Sequence, residues 1–188
     1  MNSYDIYEVL RNRVGRNILF RGVLASDQVK SFEIPNMRDK DIAFIANILR
    51  LGDKRMGHWV VFLITKSPTK EIYFFDSYGL SPVFYSNDFA EFLKCNKEFE
   101  LYAIKRKLQS DTSLVCGLYA SWYIYHCSRY SLSRVMHILK KNFPTDNGKH
   151  NDKAVFNFYI KKLNRKKCSY WRNIDKSLVT YVQCRSSL

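Results

Sequence analysis

Apolar residues at helical spacing open the chain: Tyr4, Tyr7, Leu10 and Val14 fall on one face ahead of Gly15, with Ser3 standing where a cap would. A helix from Ser3 to about Val14 is predicted. The pattern then changes to continuous apolar runs. Ile42 to Leu49 and His58 to Thr65 are rich in Ile, Val and Phe, Ile72 to Phe75 follows the turn Lys66-Ser67-Pro68-Thr69-Lys70, and Phe99 to Lys105 is a further strand. Helical patterning returns at Asp88 to Lys94, at Val115 to Cys127, at Leu132 to Asn142 behind the cap Ser131, and at Asp152 to Leu163. No repeat, low-complexity tract or Pro/Gly linker interrupts this order, so a single α+β domain over residues 1–188 is expected.

Composition narrows the class. With 46% hydrophobic and 15% aromatic residues, the chain is too rich in core-forming side chains for a disordered tail, and at 188 residues it should bury roughly two thirds of its unfolded surface. The longest uncharged apolar stretch, Leu114 to Cys127, is shorter than the ~20 residues that cross a bilayer, and the N-terminus mixes Asp5, Glu8 and Arg11 with apolar residues instead of forming a signal core. No membrane association is expected. The five Cys, at 95, 116, 127, 168 and 184, include no CxxC pair and read as free thiols in a reducing interior, not as a disulfide framework or a metal cage.

Charge is unevenly spread. Residues 1–100 hold 14 basic and 13 acidic groups, whereas residues 101–188 hold 17 and 4. The densest run contains Lys161, Lys162, Arg165, Lys166 and Lys167, with Phe156, Phe158, Tyr159, Tyr170 and Trp171 beside it. Such a patch concentrates phosphate polymers and marks these five residues as a candidate DNA-binding surface, the alternative being a solvated helix face.

Candidate chemistry lies at the ends of the predicted hairpin. A turn centred on residue 67 or 68 makes paired residue numbers sum to 134 or 136, so His58 faces Asp76 directly, or faces Tyr78 with Asp76 diagonal to it on the same face; an odd register would separate them. A carboxylate there can accept the imidazole Nδ1 proton while Nε2 acts as base. Cys116 stands where the polar loop from Gln109 turns into an apolar helix, whose free N–H groups and dipole favour a thiolate. Its own N–H and the carboxamide of Gln109, arriving along that loop, could form an oxyanion hole, and Gly117 leaves room for a substrate backbone. Singly, a buried Cys, a strand-initial His and a turn Asp are ordinary structural residues. Together they supply nucleophile, base, orienting acid and oxyanion donor.

Gly57-His58-Trp59, Phe75-Asp76-Ser77-Tyr78-Gly79, Gln109 and Cys116-Gly117-Leu118 together resemble the adenovirus-type cysteine endopeptidases and their relatives in virophages and Polinton-like elements. These share an architecture with SUMO and other ubiquitin-like-protein proteases. The gap of seven from Gln109 to Cys116 looks like the adenoviral spacing, and weaker likeness runs from Phe20-Arg21-Gly22 to Ser169-Tyr170-Trp171-Arg172. The resemblance implies a papain-like α+β fold with a mixed, mainly antiparallel sheet and a central helix bearing the nucleophile. It further implies Cys116 as nucleophile, His58 as base, Asp76 as acid and Gln109 in the oxyanion hole, with no cofactor or metal.

The implied task is processing of viral capsid and core precursors, after small residues such as Gly, in a groove lined by aromatics such as Trp59. The implied setting is the virion and the host-cell interior, with DNA and an activating peptide as partners. Asp76 stands where the adenoviral enzymes carry Glu, as in the SUMO-protease branch, so deconjugation of ubiquitin-like proteins is the alternative activity; an inactive DNA-binding virion protein is the alternative from another class. Cys95 lies in the general region of the cysteine that takes the adenoviral peptide, but at a different distance from Gln109.

Overall fold

A computed structural model describes residues 2–15, 17–35, 40–66, 68–144 and 146–163. Helix α1 (Ser3–Arg11) leads into strand β1 (Ile18–Leu24) and the short helix α2 (Ser26–Lys30). Strands β2 (Asp41–Asn47), β3 (Trp59–Thr65) and β4 (Glu71–Phe75) follow, then helices α3 (Pro82–Tyr85) and α4 (Asn87–Cys95) and strand β5 (Glu100–Ala103). The remaining elements of the described residues are helical: α5 (Cys116–Cys127), α6 (Leu132–Asn142), α7 (Gly148–Phe158) and a π-helical turn at Tyr159–Leu163. The class is α+β, with one five-stranded mixed sheet in the order β1-β2-β3-β4-β5.

Only the two central pairings, β2 with β3 and β3 with β4, are antiparallel; β1 lies parallel to β2, and β5 parallel to β4. The sheet is therefore evenly divided, not mainly antiparallel as expected. The reason is connectivity: α2 leads from β1 towards β2, and α3 with α4 carry the chain from β4 to β5, and crossovers of this kind bring a strand back in its original direction.

Helices cover both faces of the sheet, which explains the continuous apolar runs in β2 and β3. Ala43, Ile45, Val61, Leu63 and Phe75 point into a core shared with α1, α5, α6 and α7, while Ile42, Phe44, Val60, Phe62, Ile72 and Phe74 point into a second core closed by Val29 of α2 and Phe89 and Phe92 of α4. Helix α5 is apolar all round because it lies inside the first core; every one of its residues except Tyr125 is buried.

The N-terminal helix departs from expectation in cap and face. Asn2, not Ser3, is the N-cap, in a reciprocal capping box with Asp5, and the helix ends at Arg11. Ile6 and Leu10 are its buried residues, whereas Tyr4 is 70% exposed and Tyr7 lies against Phe20 of β1. Helix α7 starts a turn earlier than predicted, because the Asn147 side chain caps it by accepting from the His150 N–H. No helix among the described residues is long and apolar enough to cross a membrane.

Candidate active site

The hairpin of β3 and β4 pairs Phe62 with Phe74 and Val61 with Phe75, the even register whose residue numbers sum to 136. Continued past Val61, this register brings His58 opposite Tyr78 and leaves Asp76 diagonal to His58 on the same face. The two side chains meet there: His58 Nε2 lies 2.6 Å from Asp76 Oδ1, and both residues are buried. Nε2 is thus the nitrogen held by the carboxylate, and not Nδ1 as expected from the sequence. The imidazole approaches Asp76 by its far end, which leaves Nδ1 for Cys116, a group near enough to the ring to help raise it.

Local backbone demands explain the residues around these two. Gly57 precedes His58 because a Cβ there would stand 2.1 Å from Asn47 Oδ1, and that oxygen accepts from the Leu49 N–H at the end of β2. Gly79 closes the turn after Asp76 with φ of +73°, and a Cβ would meet the Arg106 and Lys107 backbone at 2.7–2.9 Å. That close approach lets the Ser77 carbonyl accept from the N–H groups of Leu108 and Gln109, at 2.8 and 3.0 Å. The Asp76 turn and the Gln109 loop are one stitched unit.

Asp76 is fully buried and accepts four hydrogen bonds: from His58, from the N–H groups of Tyr78 and Leu80, and from the Tyr85 hydroxyl. Burial pushes its carboxyl up, but the imidazole and the two backbone N–H groups together outweigh it and hold it below the ordinary 3.8. Burial likewise pulls His58 down, and its bonds to Asp76 and Cys116 more than reverse this, raising it from 6.5 to about 9. Two phenol rings flank the imidazole, Tyr78 stacked at 4.8 Å between centroids and Tyr85 tilted at 5.5 Å, an arrangement that favours the cationic form.

Cys116 is the first residue of α5, buried, so its N–H is among the group that has no partner within the helix. Gly117 follows as the second residue, buried, with its carbonyl accepting from Ser121 Oγ at 2.7 Å. Trp59 is the first residue of β3 and half-buried against the core. Gln109 is buried, but its carboxamide is not free as expected from the sequence. Oε1 accepts from Ser77 Oγ at 2.7 Å, and Nε2 donates to the Ser113 carbonyl at 2.7 Å and to the Tyr78 hydroxyl at 3.2 Å.

Helix α7 holds the loop from its other side. Asn151 Nδ2 donates to the Leu108 carbonyl at 3.0 Å, and the Asp152 carboxyl accepts from the Ser110 N–H and the Tyr119 hydroxyl. A Cβ on Gly148 would meet the Ser110 backbone at 2.5–2.6 Å, so this close packing too depends on glycine. Tyr85, Asn151 and Asp152 had no signal as site residues in the sequence, since none belongs to a motif of reactive groups, and Ser77 had no role assigned within the Asp76 turn. Only the position of Ser77, next to Asp76 in the turn, hints at a role.

Of the basic candidates, Lys161 and Lys162 are exposed on the π-helical turn after α7; Arg165, Lys166 and Lys167 lie outside the described residues. Cys95, Cys116 and Cys127 are free thiols, Cys95 exposed and the other two buried, while Cys168 and Cys184 lie outside the described residues. Among the described residues no cluster of His, Cys, Asp and Glu could hold a metal ion.

No protein-family model matches the chain, and no curated protein is similar to it in sequence. A solved structure similar in shape is the central domain of the uncharacterized Lpg1148 protein from Legionella pneumophila, at 15% identity and a TM-score of 0.46 over 97% of this chain and 94% of that one. An overlap this loose does not extend to chemistry.

Proposed function

We propose that this chain is a papain-like cysteine endopeptidase of the adenovirus type. One observation carries the reading: buried Cys116, His58 and Asp76 come together, with the imidazole held through Nε2 by an ionised carboxylate and raised in part by Cys116. In the reaction, with the proton of the Cys116–His58 pair held on the imidazole, Cys116 Sγ attacks the substrate carbonyl carbon, and the carbonyl π electrons move onto the oxygen. Collapse expels the amine, which takes the proton from the imidazolium. Water activated by His58 then hydrolyses the thioester. Asp76 fixes the ring and stabilises its charge without accepting the proton.

The substrates proposed are capsid and core precursors cut after small residues, inside the virion or the infected cell. Incubating the protein with the precursors encoded beside it, with and without DNA, and sequencing the new termini tests this; wild type should generate termini that Cys116→Ala does not. Aspartate, not glutamate, at position 76 favours the second reading, deconjugation of ubiquitin-like proteins. Release of a reporter fused after the terminal Gly-Gly of ubiquitin or SUMO, with precursors untouched, would establish that reading in place of the first.

A further inference from the structure

The oxyanion side of the site contains one more polar group than the sequence motif does. The Ser113 carbonyl can only accept, so the edge of the Gln109 carboxamide facing it at 2.7 Å must be the NH2 group, and Oε1 faces the Ser77 hydroxyl. The second Nε2 proton is directed at the Tyr78 oxygen, 3.2 Å away. Both protons of the group expected to bind an oxyanion are therefore committed. The phenol, having accepted from Gln109, keeps its own proton, and none of the hydrogen bonds among the described residues uses it.

Tyr78 also lies beside the base. Its ring is stacked on the His58 imidazole at 4.8 Å with 26° between planes, its main-chain N–H is anchored on Asp76 at 3.1 Å, and Cys116 is near enough to act on the phenol electrostatically. We propose that Tyr78 is a catalytic residue: its hydroxyl, oriented by Gln109, donates to the oxyanion formed on attack by Cys116, beside the Cys116 N–H. Gln109 is then a positioning residue that polarises the phenol.

Burial and the nearby Cys116, Asp111, Asp152 and Asp76 push the Tyr78 phenol up to about 12, which keeps the proton in place at neutral pH. No proton is transferred in this interaction. As Sγ bonds to carbon and the π pair moves to oxygen, the O–H shortens its hydrogen bond to the new charge, and it relaxes when the leaving group departs. A donor aimed at developing charge, and not at the ground-state carbonyl, lowers the barrier without tightening substrate binding.

The proposal rests on the thiol-hydrolase reading above, and two reagents separate them. p-Nitrophenyl acetate acylates a thiol through an oxyanion; iodoacetamide alkylates it by displacement with none. Both rates are measured on the full chain, with Cys116→Ala giving the background and the exposed Cys95 the internal reference. In Tyr78→Phe, which retains the stacked ring, acylation of Cys116 should fall by about 10²–10³-fold while alkylation stays within about twofold. Gln109→Ala should fall similarly, and the double variant no further than either alone, because the two act as a unit.

Unchanged or faster acylation in Tyr78→Phe would overturn the proposal alone and make the hydroxyl a plug that substrate displaces. Equal losses with both reagents would also overturn it, reducing Tyr78 to a support for His58. If wild-type Cys116 reacts with neither reagent faster than Cys95, the thiol-hydrolase reading falls and takes this proposal with it.

Discussion

The turn at Asp76 and the first turns of α7 grip the same loop, residues 108–113, from opposite sides, and each does so beside a buried carboxyl group. The two groups are in opposite electrostatic states. Asp76 accepts from two backbone N–H groups, a phenol and an imidazole that carries charge, and is held below 3.8. Among the described residues Asp152 has only neutral donors, including the Tyr119 hydroxyl and the Ser110 N–H, and burial raises it above 3.8. Neutral hydrogen bonds satisfy geometry but do not offset the missing hydration of a full charge; a cationic partner adds the Coulombic attraction that does. The same residue type is therefore held ionised on one side of the loop and pushed towards its neutral form on the other.

The contrast breaks most severely where the cation itself is removed. His58→Ala should lower Cys116-dependent turnover nearly as far as Cys116→Ala does, on the order of 10⁴-fold or more, and slow iodoacetamide labelling of Cys116 towards that of an ordinary thiol. If His58→Ala retains the labelling rate of wild type, the imidazole is not the partner of the thiol.

Conservative amide substitutions sharpen it. Asp76→Asn should reduce turnover by up to about 10⁴-fold, because an amide can present its NH2 to the ring and no longer supports the imidazolium. Asp152→Asn should leave turnover within about twofold, because the amide oxygen can still accept from the Ser110 N–H while the NH2 donates to the Tyr119 hydroxyl, which keeps its bond to the Leu108 carbonyl, and no charge has to be buried. Equal losses in the two variants would mean that both carboxylates act through position alone. NMR titration of the histidine ring signals gives the electrostatic half of the test: one ring should titrate near 9 in wild type and return towards 6.5 in Asp76→Asn.

The pH dependence of stability carries opposite signs. His58 contributes stability that is full below 6.5 and is lost as pH rises through about 9, and Asp76 contributes stability that is present above 3.8 and is lost as pH falls through its lowered value. Asp152 is easier to protonate folded than unfolded, so it costs stability as pH rises from 3.8 through its raised value. In denaturant titrations, Asp152→Asn should accordingly narrow the decline in stability between acid and neutral pH. Asp76→Asn should lower stability at pH 7 and reduce the further decline on acidification below 3.8. Truncation to Asp152→Ala removes both accepted bonds and should cost about 1–3 kcal/mol in the same titrations.

The smallest effect on the site is expected from the exposed basic residues. Charge removal at Lys161 and Lys162, extended to Arg165, Lys166 and Lys167, should leave ester hydrolysis by Cys116 unchanged and flatten the salt dependence of DNA binding by about 0.9 in log-log slope for each phosphate no longer neutralised. DNA binding identical to wild type would make this run a solvated face.

Strands β2, β3 and β4 and helices α4, α5 and α6 are legible in the sequence because burial on one or two faces writes itself into the spacing of apolar residues. Strand β1 is not: Arg21-Gly22 breaks its run, where the register with β2 shifts between Phe20 and Val23, and α2 is five residues long, too short for a period. The two parallel edge pairings could not be read either, since they depend on crossovers and not on any strand's composition. His58, Asp76, Gln109 and Cys116 could be singled out from residue type and spacing, and even the two allowed hairpin registers followed from the turn. What only the tertiary structure decided is the state of each group: which register forms, which imidazole nitrogen meets Asp76, and where the Gln109 protons go. Those depend on approaches between segments far apart in the chain, with α5 bringing Cys116 to the ring and Ser113 and Tyr78 engaging the carboxamide, and local sequence pattern carries no record of such directions.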